Sequence, residues 1–282
     1  MTSSAERPSR GIDHVVILVR DLDAAEAQYR RMGFNLTPRG HHSRLKSFNH
    51  CAMLAGGDYL ELLTTGERGA RPYYDEFLER REGVSGIAFR TADALATRAA
   101  LAAAKFRPEE PVAFGRPVTI DGGEREARFV TVTVDPAIPL GARTFFCQHR
   151  TPELVWQPSY LPQPNGARAL AVVTWVAEGP DLAQHYTRLL GGTAAREAEA
   201  ATIGLGAHRL DFISPAAAAA RFPGDPVLRL APPYIACIRV SVADPAAAER
   251  LLRGAGVPFR RTETGGLQVP STAAAGAVLE FG

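Results

Sequence analysis

The feature that most constrains the fold is a pattern that occurs four times along the chain. A short apolar strand leads through an aspartate to an apolar-periodic helix, the helix ends near glycine, and further strand-like segments follow. The copies begin near residues 12, 84, 170 and 235. One such βαβββ module cannot bury the apolar face of its own small sheet, so the modules are expected to pair. The sequence therefore predicts an α+β fold with four βαβββ modules paired into two open half-barrel domains.

A proline-rich segment divides the two pairs. Residues 151–166 (TPELVWQPSYLPQPNG) hold four prolines and no apolar periodicity, which is typical of a linker. We therefore predict one domain at residues 1–150, a linker at 151–166 and a second module pair at 167–282.

Composition narrows the classes of function. The net charge is +2 and no basic block is interleaved with aromatic residues, which argues against a nucleic-acid partner. Apolar stretches are far shorter than the ~20 residues of a membrane helix, and the polar N-terminus lacks the apolar middle of a secretory signal. The three cysteines lie in apolar runs and are predicted to be buried thiols. These features predict a cytoplasmic monomer or homodimer whose partner is a small molecule, with no membrane partner.

Several motifs within the repeat carry a resemblance. The segments GIDHVVILVRDLDAA, NHCAML, DYLELL and FFCQHRTPELVW resemble the vicinal oxygen chelate superfamily and, more narrowly, its bacterial glyoxalase-like domain proteins. That superfamily includes glyoxalase I, dioxygenases, epimerases, thiol transferases and drug-binding proteins, so the fold alone does not specify a reaction. The resemblance implies a metal-dependent enzyme that acts on a small organic molecule with adjacent oxygens, by lyase, isomerase or dioxygenase chemistry. The alternative is a non-catalytic small-molecule-binding or sequestering protein of the same fold, without metal.

The resemblance places metal ligands on the first and last strands of paired modules. The matching residues are His14 and Glu61. His149 is a third ligand if its side chain points into the concave space between modules one and two. A shift of one residue in strand parity would present Gln148 instead. Such a set suits a divalent metal, Fe²⁺, Mn²⁺ or Zn²⁺, with positions left open for substrate oxygens. A core histidine bonded to a backbone carbonyl and a glutamate paired with arginine are the structural alternatives.

Further polar residues are candidates for contact with substrate. Glu61 is also a candidate general base, and His50 a candidate acid or base, although a hydrogen-bonded histidine in the sheet is the alternative. Asn49, Gln148 and Arg39 are candidate substrate-binding residues, with Arg39 suited to an anionic group.

The second half of the chain and module two offer fewer ligands. Gly86 occupies the position of module two that matches His14, so a four-ligand glyoxalase I site is not expected. In the C-terminal pair the matching first-strand positions hold Val172 and Cys237, so an extradiol-type site is not expected there either. His185 and His208 are predicted to be exposed.

Overall fold

A computed structural model describes residues 11–120, 122–135, 141–197 and 200–282. Its strands form two mixed eight-stranded sheets. Module one comprises β1 (Ile12–Leu18), α1 (Leu22–Arg31), β2 (Gly40–His42), β3 (Ser47–Met53) and β4 (Tyr59–Thr65), followed by α2 (Pro72–Arg80). Module two comprises β5 (Gly83–Arg90), α3 (Ala94–Ala103), β6 (Val112–Ile120), β7 (Gly123–Thr133) and β8 (Arg143–His149).

The second sheet repeats this order. Module three comprises β9 (Ala167–Val176), α4 (Asp181–Leu190), β10 (Ala194–Glu197), β11 (Ala200–Leu205) and β12 (His208–Ile213), followed by α5 (Pro215–Arg221). Module four comprises β13 (Tyr234–Val242), α6 (Pro245–Gly254), β14 (Arg260–Arg261), β15 (Leu267–Val269) and β16 (Val278–Phe281). None of the helices in the described ranges is both long and apolar enough to cross a membrane.

The sheet topology pairs the modules two by two. The first sheet has the order β2-β3-β4-β1-β5-β8-β7-β6, and the second has the matching order β10-β11-β12-β9-β13-β16-β15-β14. The first strands of paired modules lie antiparallel at the centre, and each is parallel to the last strand of its own module. Edge strands β2 and β6 contact each other, so the first sheet curves into a nearly closed barrel. The predicted α+β fold with paired half-barrels is confirmed.

Helix caps explain why the helices begin where they do. The carboxylates of Asp21, Asp93 and Asp244 accept hydrogen bonds from backbone N–H groups in the first turns of α1, α3 and α6. Helix α4 ends at Gly191, whose φ of 64° is the left-handed conformation that glycine adopts without strain.

Some elements differ from the sequence prediction. The apolar run at residues 34–37 favours a strand directly after α1, but only Leu36 makes an isolated bridge there, to Ala52, and β2 lies at Gly40–His42. Helices α2 and α5 were not predicted. Each begins with proline in its first turn and follows the last strand of its odd-numbered module.

The main apolar core lies between the two sheets. Tyr186 of α4 packs against Phe89 of the first sheet with 6.2 Å between ring centroids, and its hydroxyl hydrogen-bonds the Thr144 hydroxyl at 2.6 Å. Phe34 contacts Phe281 in the same layer. Helices α1, α3 and α4 pack on the outer face of their own sheet, the two helical layers meet in this core, and the concave face of the first sheet has a separate apolar cluster.

Two histidines that were predicted to be exposed are buried, so that prediction is wrong. His208 Nε2 hydrogen-bonds Asp58 Oδ2 at 2.9 Å, and Asp58 Oδ1 accepts from the backbone N–H of Leu170 at 2.9 Å. His185 packs edge-on against Phe106. Both lie where the two module pairs meet, and no local sequence pattern reports contacts between residues so distant along the chain.

The segment at 151–166 packs onto module one. It contains short 3₁₀ turns at Pro152–Leu154 and Pro158–Tyr160. Gln163 Nε2 donates to the carbonyl of Met53 at 2.8 Å, and Asn165 Nδ2 donates to the carbonyl of Met32 at 2.9 Å.

Candidate functional site

A cavity opens on the concave face of the first sheet. Its empty volume, counted with its open mouth, is about 590 Å³. Strands from both modules of the first pair contribute to its wall. Its polar lining includes His14, His42, Asn49, Glu61, Arg71, Arg116 and Arg143, and its apolar lining includes Leu63, Phe114, Phe129 and Phe145. The cavity therefore combines ionisable groups with an aromatic surface in one concave space.

His14 lies at the base of this cavity with its ring held on both faces. The ring stacks on Tyr59 with 4.4 Å between centroids and meets Phe145 edge-on at 5.4 Å. Its Nδ1 hydrogen-bonds Asp13 Oδ1 at 2.6 Å. Because Asp13 takes Nδ1, the other ring nitrogen, Nε2, faces Glu61 Oε2 at 3.7 Å. A carboxylate on one nitrogen is the usual way in which proteins orient a ligating histidine.

A β-bulge brings Asp13 and His14 together. Successive side chains of a regular strand point to opposite faces. Here Ile12 pairs with Phe89 and His14 with Ala88, so Asp13 is an extra residue opposite β5. Bulges re-aim side chains in this way and are common beside active sites. Asp13 was not among the predicted site residues, although a carboxylate inside an otherwise apolar strand was a signal for it.

Glu61 is oriented by a neighbour from the adjacent strand. Asn49 Nδ2 donates to Glu61 Oε1 at 2.6 Å, which leaves Oε2 directed at His14. Asn49 Oδ1 is buried and finds no hydrogen-bond partner among the described residues. Glu61 and His14 therefore each have one polar atom fixed by a buried side chain and one atom directed toward the other residue.

His149 shares the concave face but does not reach Glu61. Phe145, Cys147 and His149 alternate with residues of the other face, so the predicted strand parity holds for His149. Its Nε2 hydrogen-bonds Asp13 Oδ1 at 2.9 Å, and its ring packs against Trp156 with 4.7 Å between centroids.

Asp13 is consequently a hub beneath the cavity. It is fully buried and accepts from His14, from His149 and, at 3.3 Å, from Arg90 Nε. Burial alone would raise the pKa of this carboxyl, but the neighbouring histidines and their hydrogen bonds hold the pKa of Asp13 below its usual range.

The strand registers show why module two does not complete a four-ligand site. Glu61 pairs with Val16, two residues after His14. In module two, Phe145 pairs with Ala88, two residues after Gly86. The positions that match His14 and Glu61 are therefore Gly86 and Phe145, neither of which has a ligand atom in its side chain.

The remaining predicted site residues lie outside the cavity. His50 is on the helix side of β3, where Nδ1 binds the Thr37 carbonyl at 2.8 Å and Nε2 lies 3.3 Å from Glu26. Gln148 is also on the helix side. Its side chain binds the backbone of Ala92 and Ala94 at the start of α3.

Arg39 and Arg116 illustrate what the sequence did and did not indicate. Arg39 is half-exposed and pairs with Asp23 at 2.5 Å, away from the cavity. The buried arginine of the cavity is Arg116 on β6, which sequence analysis missed. Its signal was the alternation of Phe114, Arg116 and Val118, which places all three on one strand face.

A second set of ligand atoms adjoins the first. Atoms of Asp13, His14 and Cys147 lie within 4.8 Å of one another. Burial raises the pKa of the Cys147 thiol well above its ordinary value, so this sulfur is protonated when no metal is bound. In the C-terminal pair, Glu280 is instead held in ion pairs with Arg221 and Arg239 at about 3 Å.

The paired βαβββ modules and their sheet order form the fold that the resemblance to the vicinal oxygen chelate superfamily implied. A family model described as "glyoxalase-like domain" matches residues 12–190, and the chain belongs to that family. No curated protein sequence matches the chain.

Solved structures agree on the fold. A hypothetical protein from Staphylococcus aureus superimposes with a TM-score of 0.70 at 12% identity and covers 96% of this chain and 98% of its own. A 4-hydroxymandelate synthase mutant from Streptomyces coelicolor gives a TM-score of 0.61 at 16% identity and covers 98% and 92%. A Mn(II)-bound glyoxalase from Novosphingobium aromaticivorans gives 0.58 at 14% identity and covers 98% and 82%.

Proposed function

We propose that the cavity of the first module pair binds one divalent metal through His14 and Glu61 and acts on a small organic molecule with two adjacent oxygens. The observation that carries this proposal is the convergence of His14 Nε2 and Glu61 Oε2 at 3.7 Å. Each group is fixed from behind, one by Asp13 and the other by Asn49, so that both free atoms face one point. This donor set of one imidazole and one carboxylate suits Fe²⁺, Mn²⁺ or Zn²⁺.

A bound divalent metal would supply Lewis-acid stabilisation of the negative charge that develops on the substrate oxygens. The chain's own residues prepare the site for this. Asp13 holds the His14 proton on Nδ1, so Nε2 keeps its lone pair. Asn49 holds one oxygen of Glu61, and Tyr59 fixes the plane of the His14 ring. The aromatic wall limits water around the reacting oxygens.

Glu61 is also the carboxylate of the cavity lining and is therefore our candidate for a general base. We assign His50 and His149 no direct contact with substrate, because both are held by protein partners outside the cavity lining.

Metal titration tests the proposal. We expect the purified chain, stripped with EDTA, to bind about one equivalent of Mn²⁺, measured by calorimetry and by elemental analysis after desalting. His14→Gln and Glu61→Gln should each abolish this binding, whereas Glu126→Gln, which alters an exposed carboxylate on β7, should leave it unchanged. Wild-type protein without stoichiometric Mn²⁺, Fe²⁺ or Zn²⁺ binding would overturn the proposal and favour the metal-free binding protein.

Cobalt distinguishes the two neighbouring ligand sets. Co²⁺ bound by His14 and Glu61 has no sulfur ligand, so the spectrum should lack a thiolate-to-cobalt charge-transfer band. A strong band that disappears in the Cys147→Ser variant would place the metal with Asp13 and Cys147 instead.

A further inference from the structure

Arg116 is a buried arginine without an ion-pair partner in the described part of the chain. It is 6% exposed and lies on the inward face of β6 between Phe114 and Val118. Among the residues that the structure describes, none forms an ion pair or hydrogen bond with Arg116, although its guanidinium carries five N–H donors. Buried arginines are ordinarily paired, since an unpaired charge in an apolar surrounding is costly.

The rest of the cavity leaves this positive charge uncompensated. Glu61 is the carboxylate among the cavity-lining residues, and it is already bonded to Asn49 and faces His14. Two more arginines, Arg71 and Arg143, line the same space, and Arg143 is paired with Glu109 at 4.0 Å. The cavity therefore has an excess of positive charge, which favours an anionic ligand.

Gly40 makes room for the guanidinium beside the candidate metal ligands. A Cβ at this position would lie 2.2 Å from Asn49 Oδ1 and 3.2 Å from Arg116 Nη1. Glycine thus lets Asn49 and Arg116 approach each other across β2. Since Asn49 also donates to Glu61, Arg116 adjoins the Glu61 side of the cavity.

An apolar surface adjoins Arg116. Phe114 and Phe129 stack with 5.3 Å between centroids, and both line the cavity. The orphan Oδ1 of Asn49 offers a buried acceptor on the same side. These groups together suit a ligand that has one anionic end and an apolar body.

We propose that Arg116 is the carboxylate-binding residue of the cavity, and that the ligand is a small organic acid whose apolar body lies against Phe114 and Phe129. The guanidinium matches a carboxylate in charge and shape, because its N–H groups donate two parallel hydrogen bonds to the two oxygens. This inference deepens the proposed function, on which its catalytic meaning rests. Carboxylate binding itself needs no metal.

The test uses metal-free protein, so that it stands apart from the metal titration. We expect 3-phenylpropionate to bind in the presence of EDTA, measured by calorimetry, and the neutral 3-phenylpropionamide to bind at least tenfold more weakly. Arg116→Gln should weaken binding of the acid about 10- to 100-fold and leave that of the amide unchanged, which corresponds to the strength of a charge-assisted pair. Arg125→Gln, an exposed arginine on β7, should match wild type and controls for net charge.

A stability measurement separates a binding role from a structural one. If Arg116 is held ready for a ligand, Arg116→Gln should leave the urea midpoint unchanged or raise it, since an unpaired buried charge is removed. Equal affinity for acid and amide in wild type, or loss of folding in both Arg116→Gln and Arg116→Met, would overturn the assignment. Failure to bind Mn²⁺ with acid binding intact would refute the proposed function alone.

Discussion

Replacing Asp13 by asparagine tests whether this carboxylate organises the base of the cavity. Three hydrogen bonds converge on it, from His14 at 2.6 Å, from His149 at 2.9 Å and from Arg90 at 3.3 Å. Changing a charged acceptor to a neutral one lowers a hydrogen bond's net contribution from about 1.5–3 to about 0.5–1.5 kcal/mol. At about 1 kcal/mol per bond, Asp13→Asn should cost about 3 kcal/mol. Breaking a buried ion pair costs a similar amount, about 3–5 kcal/mol.

The effect should also depend on pH in a defined direction. The histidines hold the pKa of folded Asp13 below its usual range despite the opposing effect of burial. A group with a lowered folded pKa stabilises the protein above its unfolded pKa, about 4 for aspartate, and this stabilisation is lost as the pH falls further. The gap in unfolding free energy between wild type and Asp13→Asn should therefore stay constant from pH 7 to about 5 and shrink toward pH 3.

Urea unfolding followed by circular dichroism measures this gap. Asp23→Asn is the matched control, because Asp23 forms an exposed pair with Arg39 and should contribute less than about 1 kcal/mol. The same Asp13→Asn protein should bind Mn²⁺ about 10- to 100-fold more weakly, since Asp13 orients His14. A loss below about 1 kcal/mol at pH 7, or a gap that widens in acid, would refute the idea of a buried charged hub.

Three further outcomes are expected from other parts of the structure. Burial lowers the pKa of His42 to about 4. The free energy of unfolding should therefore fall by about 3 kcal/mol as the pH drops from 6.5 to 4. Urea unfolding at several pH values should show a smaller fall for His42→Gln. Gly276 has a φ of 85°, and a Cβ there would lie 2.7 Å from the backbone of Glu82. Gly276→Ala should therefore lower the thermal unfolding midpoint clearly, whereas Gly254→Ala, where a Cβ meets open space, should not. Asp58→Ala should lower the free energy of unfolding by about 2–4 kcal/mol, because it leaves His208 and the backbone N–H of Leu170 without their acceptor. A double-mutant cycle with His208→Ala should show a coupling energy above about 1 kcal/mol. Additive effects of the two substitutions would contradict this hydrogen-bonded pair.

The repeat pattern was enough to predict the architecture. Asp21, Asp93 and Asp244 cap their helices as their positions indicated, because capping depends on residues a few positions apart. The convergence of His14 with Glu61 followed from the resemblance and from the parallel pairing of first and last strands. These features are local or repeated, so the sequence contains them directly.

The contacts behind the candidate ligands were beyond sequence analysis. The bulge at Asp13 depends on how β1 pairs with β5, a strand some 70 residues away in the chain. Arg116 carries no local mark that distinguishes it from the many exposed arginines, since its burial arises only when β6 closes against β2. His50 lies on the helix side because β3 presents Asn49 and Cys51 to the cavity, and alternation alone does not say which face is concave.

The two walls of the cavity differ in their ligand atoms, and this difference affects how a metal ion and an organic ligand would bind. Gly86 and Phe145 stand where a symmetric pair of modules would offer two more donor atoms. A metal ion bound by protein ligands on one wall only would complete its coordination with water or with the organic ligand. Binding of the metal ion would then raise the affinity for the organic acid. By thermodynamic reciprocity, the acid would raise the affinity for the metal ion by the same factor.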